Sequence, residues 1–229
     1  MTILAIDTSN YTLGIALLRE DTVIAEHITY LKKNHSVRAM PAVHSLLNDC
    51  DMTPQDLSKI VVAKGPGSYT GVRIGVTLAK TLAWSLDIPI AAVSSLEALA
   101  ANGRHFDGLI SPIFDARRGQ VYTGLYEYKN GLLEQVVSDQ NVMLAEWLEM
   151  LKEKDRPVLF LGHDTSIHKQ MIEDMLGAKG VIGTAAQHNP RPSELAFLGA
   201  EKNAADVHGL IPDYLRLAEA EAKWIESQK

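Results

Sequence analysis

Ile60-Val61-Val62-Ala63-Lys64-Gly65-Pro66-Gly67-Ser68-Tyr69-Thr70-Gly71-Val72-Arg73 is the stretch on which the fold turns. Four apolar residues lead in and a helical pattern, Val72 to Leu86, leads out, so the segment reads as strand, glycine-rich turn and helix. Gly65 and Gly67 permit backbone angles that a side chain forbids, and Pro66 stiffens the turn between them. Ser68 or Thr70 can cap the helix, and a helix N-terminus behind glycines can cradle an anion. The loop is not a Walker A, because no Gly-Lys-Ser/Thr follows. Nor is it Gly-x-Gly-x-x-Gly, because Gly71 falls one position late. Local chemistry alone favours a tight turn without a ligand.

Upstream, residues 2–6 are nearly all apolar and read as a strand buried on both faces. Thr12 to Leu18 and Thr22 to Tyr30 follow at short separations, which predicts a three-strand meander. Asp7-Thr8-Ser9-Asn10 closes its first hairpin. A carboxylate there can orient a metal or a phosphate-bound water, and Thr8, Ser9 and the turn amides can face phosphate. An Asx turn is the plainer reading of the same residues. Asn34 to Asp49 reads as a helix with two apolar stripes, Val37, Met40, His44, Leu47 and Ala39, Val43, Leu46, Cys50, with Pro41 bending it or falling in its first turn. The histidines His35 and His44 are not at metal-ligand spacing.

The helix after the glycine loop is apolar nearly all round. Val72, Gly75, Val76, Ala79, Ala83 and Leu86 make one face; Ile74, Leu78 and Leu82 make another. Such a helix is covered on more than one side. One cover is a sheet; the other is a partner subunit or the chain's own second half. Ile88 to Val93 is a further strand, and Ser94 or Ser95 then caps a short helix. Three strands, helix, strand, helix, strand, helix is the ribonuclease H-like order, the repeat unit of the actin, hexokinase and heat-shock chaperone folds. A metal nuclease of that fold needs several clustered carboxylates. After Asp7 the matching positions are apolar, which sets nuclease chemistry aside.

From about Asn102 the pattern restarts. Strands are expected at Gly108 to Phe114, Val121 to Tyr128, Leu132 to Val137 and Val158 to Leu161, with helices at Ala145 to Leu151 and from Gly162-His163-Asp164-Thr165 to Leu176. His163-Asp164 lacks a nucleophile nearby in sequence and reads as a turn with a helix cap. The expected division is a first lobe over 1–104, a smaller second lobe over 105–211, and a C-terminal segment over 212–229.

The 229 residues carry a net charge of −6 and no densely basic stretch, which suits a polyanion poorly, so a partner is expected to supply most of any grip on nucleic acid. The single cysteine, Cys50, rules out an internal disulfide and fits a reducing cytoplasm. The N-terminus has no signal-peptide character and no run is long enough to span a membrane, so a cytoplasmic protein is expected.

Ile6-Asp7-Thr8-Ser9, Lys64 to Gly75, Val93-Ser94-Ser95-Leu96-Glu97-Ala98-Leu99 and Pro212-Asp213-Tyr214-Leu215-Arg216, in that order, resemble the bacterial TsaB (YeaZ) family, whose members serve the synthesis of threonylcarbamoyladenosine in tRNA. The resemblance runs through the chain, and the Gly-Pro-Gly-Ser-Tyr-Thr-Gly block is its most specific part. It implies two ribonuclease H-like lobes, the second reduced. Where the family's catalytic relative, TsaD, carries two metal-binding histidines four residues apart, this chain has Ser95 and Leu99. A leucine cannot ligate a metal. The resemblance therefore implies a subunit without catalytic or metal residues of its own, which activates a TsaD-type subunit together with a TsaE-type ATPase, with ATP and metal held by those partners. It implies that the first two helices pair with their counterparts in another copy or in the relative, forming a homodimer when alone and reaching tRNA through the complex. Interface residues expected there are His35, Arg38, Val43, Leu46, Val72, Val76, Ala79 and Ala83. Asp7, Thr8, Ser9, Gly65, Gly67 and Ser68 are candidates for a vestigial nucleotide site. The alternative is an independent nucleotide-binding ATPase or phosphotransferase of the actin or sugar-kinase kind.

Overall fold

The computed structural model describes residues 1–215. The chain opens with the meander β1 (Thr2–Asp7), β2 (Thr12–Arg19) and β3 (Thr22–Tyr30). A 3-10 turn at His35–Val37 leads into α1 (Ala39–Asp49). Then come β4 (Lys59–Ala63), α2 (Tyr69–Leu86), β5 (Ile90–Val93) and α3 (Ser95–Ala100). The sheet order is β3-β2-β1-β4-β5, with β1 antiparallel to β2 and parallel to β4. The second half repeats the plan with β6 (Leu109–Asp115), β7 (Gln120–Lys129), β8 (Leu132–Met143), α4 (Leu144–Glu153), β9 (Val158–Leu161), α5 (Thr165–Leu176), β10 (Gly180–Ile182) and α6 (Pro192–Ala200). Its order, β10-β9-β6-β7-β8, is the same five-strand arrangement. The second lobe is reduced in its three-residue β10 and its 12-residue α5, against 18 residues in α2, not in strand number.

The inner strands are buried on both faces, as their unbroken apolar runs require. Leu4, Ile6, Ile60 and Val62 face α1 and α2 and pack with Val43, Leu47, Val72, Val76, Ala79 and Ala83. On the opposite face Ile3, Ala5, Ala16, Leu18 and Val61 pack with Leu195 and Ala196 of α6. In the second lobe Trp147, Leu148 and Ile172 cover one sheet face, and Leu96, Leu99 and Ala100 of α3 cover the other.

The two terminal helices are thus exchanged. Helix α3, which follows the first sheet in sequence, lies on β6 and β7; α6, which follows the second, lies on β1, β2, β4 and β5. The approach of α6 needs a glycine, since a β-carbon at Gly199 would stand 2.2 Å from Cγ1 of Val61. This corrects the expected boundary at 211. Helix α6 packs on the first sheet, and Ala205 after it makes a β-bridge to Ile90. Glu26 of β3 fastens α6 at its start, accepting hydrogen bonds from the Ser193 amide at 2.9 Å, from the Ser193 hydroxyl and from Arg191. Burial raises the Glu26 carboxyl, but the bonds from Arg191 and Ser193 outweigh it and hold the group below the usual carboxylate range.

Other differences are local. Helix α2 begins three residues earlier than its apolar pattern, because Ser68 caps it by accepting from the Gly71 amide. Strand β8 runs on to Met143 instead of ending at Val137, pairing with β7 through two register shifts around Leu125. Residues 216–229 of the expected C-terminal segment lie outside the described residues.

Candidate functional site

The two loops that could have cradled phosphate are fastened to each other. The amide of Ser68 donates to the carbonyl of Ser9 at 2.6 Å, and the hydroxyl of Thr8 donates to the carbonyl of Gly71 at 2.7 Å. β-Carbons at Gly67 and Gly71 would each stand 2.2 Å from a carbonyl oxygen, of Ser9 and Thr8 respectively. The amide of Ser9 is spent on Asp7 Oδ1 at 2.8 Å, and that of Gly65 on Ser95 Oγ at 3.1 Å. Asp7, Thr8 and Ser9 are at most 1% exposed. Of the candidate nucleotide residues, then, Asp7, Thr8, Ser9, Gly65, Gly67 and Ser68 are brought together, but the Ser9, Gly65 and Ser68 amides and the Thr8 hydroxyl are spent within the chain. The glycines serve close packing, and the arrangement does not fit a bound phosphate.

Ser95 and Leu99 lie one turn apart on α3, both fully buried. Ser95 is occupied with both backbone and side-chain bonds to Gly65, and Leu99 sits in the apolar layer under the second sheet. Glu97, between them, pairs with Lys202 at 2.8 Å.

The sequence left open which stripe of the long helices faces outward, and the structure resolves it against the expected residues. Val43, Leu46, Val72, Val76, Ala79 and Ala83 are between 0% and 7% exposed, packed on the chain's own sheet. His35 is buried against the carbonyl of Asn10, and Arg38 is half-buried against Thr29. All of these but Arg38 are thus buried within the chain's own fold. The physical reason is size. The small residues Gly71, Gly75, Ala79 and Ala83 recur every fourth position and let α2 lie close on β1 and β4; a β-carbon at Gly75 would reach within 2.4 Å of Thr8 Oγ1. The outward stripes are the opposite ones. Ser36, Ala39 and Met40 from the start of α1, with Tyr69, Thr70, Arg73, Ile74, Thr77, Leu78 and Thr81 from α2, enclose a groove of about 540 Å³. Met40 and Tyr69 of its lining are exposed large apolar groups, as are Val37 before α1 and Trp84 further along α2. The lining is mostly apolar, with Arg73 at one end, where its guanidinium lies 3.8 Å from the centroid of Tyr69 and also meets Tyr214. Tyr214 arrives because the Asp213 amide donates to the Lys64 carbonyl at 2.7 Å, laying residues 213–215 along the glycine loop.

Between the lobes, the His163 ring stacks on Tyr30 at 3.7 Å, and its Nε2 lies 2.9 Å from Asn189 Oδ1. His163 and Asp164 are a turn, as expected, although the Asp164 carboxylate accepts from the amide of Asp115 and does not cap its own helix. A second tie, which the sequence did not reveal, is Asp139 of β8. It accepts hydrogen bonds from Ser94, which caps α3, and from Tyr126 and Gln135 of the second lobe. Among the described residues no helix is long and apolar enough to cross a membrane.

Residues 22–224 match the family model of TsaD, described as tRNA N6-adenosine threonylcarbamoyltransferase. The tRNA threonylcarbamoyladenosine biosynthesis protein TsaB of Bacillus subtilis is 94% identical over 229 residues, all of both chains. The TsaB of Buchnera aphidicola is 36% identical over 206 residues, covering 85% of this chain and 98% of its own. Among solved structures, YeaZ from Pseudomonas aeruginosa superposes with a TM-score of 0.75 at 25% identity, over 93% of this chain and 99% of that one. With the two-lobe fold in place, these likenesses make the chain a member of the TsaB family.

Proposed function

We propose that this protein is the non-catalytic partner subunit for threonylcarbamoyl transfer to N6 of the adenosine next to the tRNA anticodon. The observation that carries this reading is the open, mostly apolar α1–α2 groove of about 540 Å³ with Met40 and Tyr69 exposed in its lining, next to a glycine loop closed by its own hydrogen bonds. In this reading the groove takes the matching helices of a TsaD-type subunit, giving a packed helical bundle, and takes those of a second copy when that subunit is absent. Arg73 and Tyr69, of the residue types enriched at binding hot spots, anchor one end. A TsaE-type ATPase joins the pair, and ATP, metal and tRNA are held chiefly by the partners in the cytoplasm. The chain's part is to hold the catalytic subunit in its active arrangement.

Two features count against an independent ATPase or a peptidase. The Ser9, Gly65 and Ser68 amides that would bind phosphate are used internally. His163, of the adjacent His163-Asp164 pair, faces Tyr30 and Asn189, not a nucleophile. Reconstituted transfer of threonylcarbamoyl to tRNA, with components omitted one at a time, tests the proposal. The chain alone is expected to be inactive, and the catalytic subunit to require it. Modification of tRNA by this chain alone would falsify the reading.

A further inference from the structure

Among the described residues, eight buried side-chain polar atoms have no hydrogen-bond partner in the chain, and five of them belong to two short segments that touch. Asp7 Oδ2, Ser9 Oγ and Asn10 Nδ2 come from the β1–β2 turn; His35 Nδ1 and Arg38 Nη1 come from the 3-10 turn before α1 and the residue that follows it. The segments are joined where His35 Nε2 lies 2.7 Å from the Asn10 carbonyl oxygen. A carbonyl only accepts, so Nε2 carries a proton and Nδ1 is the free end of the ring. Asp7 is 1% exposed, Ser9 0% and His35 8%; burial pushes the Asp7 carboxyl above the usual carboxylate range, and the adjoining Ser9 and His35 oppose this. The other atoms of these groups are spent: Asp7 Oδ1 on the Ser9 amide, Asn10 Oδ1 on the Thr12 amide.

Buried polar groups rarely go without partners, and leaving one unmet is costly. The guest must both give and accept hydrogen bonds. A metal ion is opposed by the Asn10 amide hydrogens, and an anion by the Asp7 carboxylate. Water satisfies a carboxylate oxygen, a hydroxyl, an amide donor and an imidazole nitrogen together. We propose that the β1–β2 turn and the His35 turn enclose an internal water site, in which water bridges Asp7, Ser9 and Asn10 to His35, and that this bridge positions the start of α1. Helix α1 has no side-chain N-cap of its own, so the chain before it must fix where it begins. Ser36, Ala39 and Met40 beside the site form one wall of the groove. The consequence for partner binding rests on the function proposed above; the water site does not.

An atomic-resolution crystal structure of the free protein, with water-to-protein NOE transfer to the Ser9 amide and the His35 ring, tests the site. The expected result is ordered water within hydrogen-bond reach of Asp7 Oδ2 and His35 Nδ1. A dry contact in which Nδ1 bonds Oδ2 directly overturns it. His35→Leu keeps the bulk and removes both ring nitrogens. It is expected to abolish the water signal and to speed amide exchange in residues 39–43 by about tenfold or more, since the direct bond to the Asn10 carbonyl is lost together with the bridge. Should that variant not fold, Ser9→Ala removes a single partner and is expected to weaken the same NOE. Loss of the water with unchanged exchange in α1 overturns the positioning role. Association with the catalytic subunit, measured in parallel, is expected to weaken with the exchange change. If exchange rises and association does not move, the groove assignment fails and the water site stands.

Discussion

Gly67 has no β-carbon, and one placed there would stand 2.2 Å from the carbonyl oxygen of Ser9, the same oxygen that accepts from the Ser68 amide at 2.6 Å. The relation turns what could have been a phosphate cradle into a join between two loops. Gly67→Ala forces those backbones apart, and its φ of +157° borders on a region where side chains are strained. We expect a loss of about 3 kcal/mol, the upper end for overpacking, read as a fall in Tm of roughly 10 °C. Thermal denaturation followed by circular dichroism checks this, and a variant as stable as the parent contradicts it.

The groove assignment separates two sets of substitutions. Val76→Asp and Ala79→Asp place a charge in the core beneath α2 and are expected to prevent folding, whatever the partner does. Met40→Glu with Thr77→Arg alters only the outward stripes, so stability is expected to change by no more than about 1 kcal/mol for the pair. Association in sedimentation and activation of tRNA modification are expected to be lost in this variant. A folded double variant that still associates excludes the groove.

Glu26 ties the start of α6 to β3, and its folded-state pKa lies below that of the unfolded chain. Its stabilisation is therefore complete above the ordinary glutamate value of about 4.3 and drains away as pH falls through the folded value. Glu26→Gln is expected to lose about 1–3 kcal/mol at neutral pH. Denaturant unfolding of the two proteins should converge in acid. A difference that stays constant across that range would show that the charge is not what holds α6.

Asp139 carries the opposite sign. Burial lifts its carboxyl above the usual range, and the charges of Glu97 and Asp213 add to this, while the bonds from Ser94 and Tyr126 oppose it. The folded state thus keeps this proton to higher pH than the unfolded chain, and its contribution declines as pH rises through the folded value. Asp139→Ala leaves Ser94 and Tyr126 short of an acceptor and is expected to lose about 2 kcal/mol and to speed exchange in the first turn of α3. Asp139→Asn is expected to flatten this part of the pH dependence, which denaturant titrations at several pH values can measure.

The meander, the glycine turn and α2 were legible because each shows its periodicity within a short window. The exchange of α3 and α6 was not, since nothing local in Pro192 to Ala200 says which sheet it covers. The two stripes of α2 are both apolar, so hydropathy could not rank them. Residue size could have: Gly71, Gly75, Ala79 and Ala83 mark the side that meets the sheet. The Asp7 turn and the glycine loop were singled out as candidates for one nucleotide site, yet whether their amides point outward or at each other depends on packing between segments some 60 residues apart, which no single stretch encodes.

The crossed placement of the terminal helices also bears on how the chain is made. The second sheet receives its cover, α3, before its own strands are synthesised, and can close as soon as they pair. The first sheet begins earlier and finishes later, because the face formed by Ile3, Ala5, Ala16 and Leu18 waits for Leu195 and Ala196. A nascent chain carries that face bare until nearly the whole protein has left the ribosome, so the lobe begun first is the last to be completed.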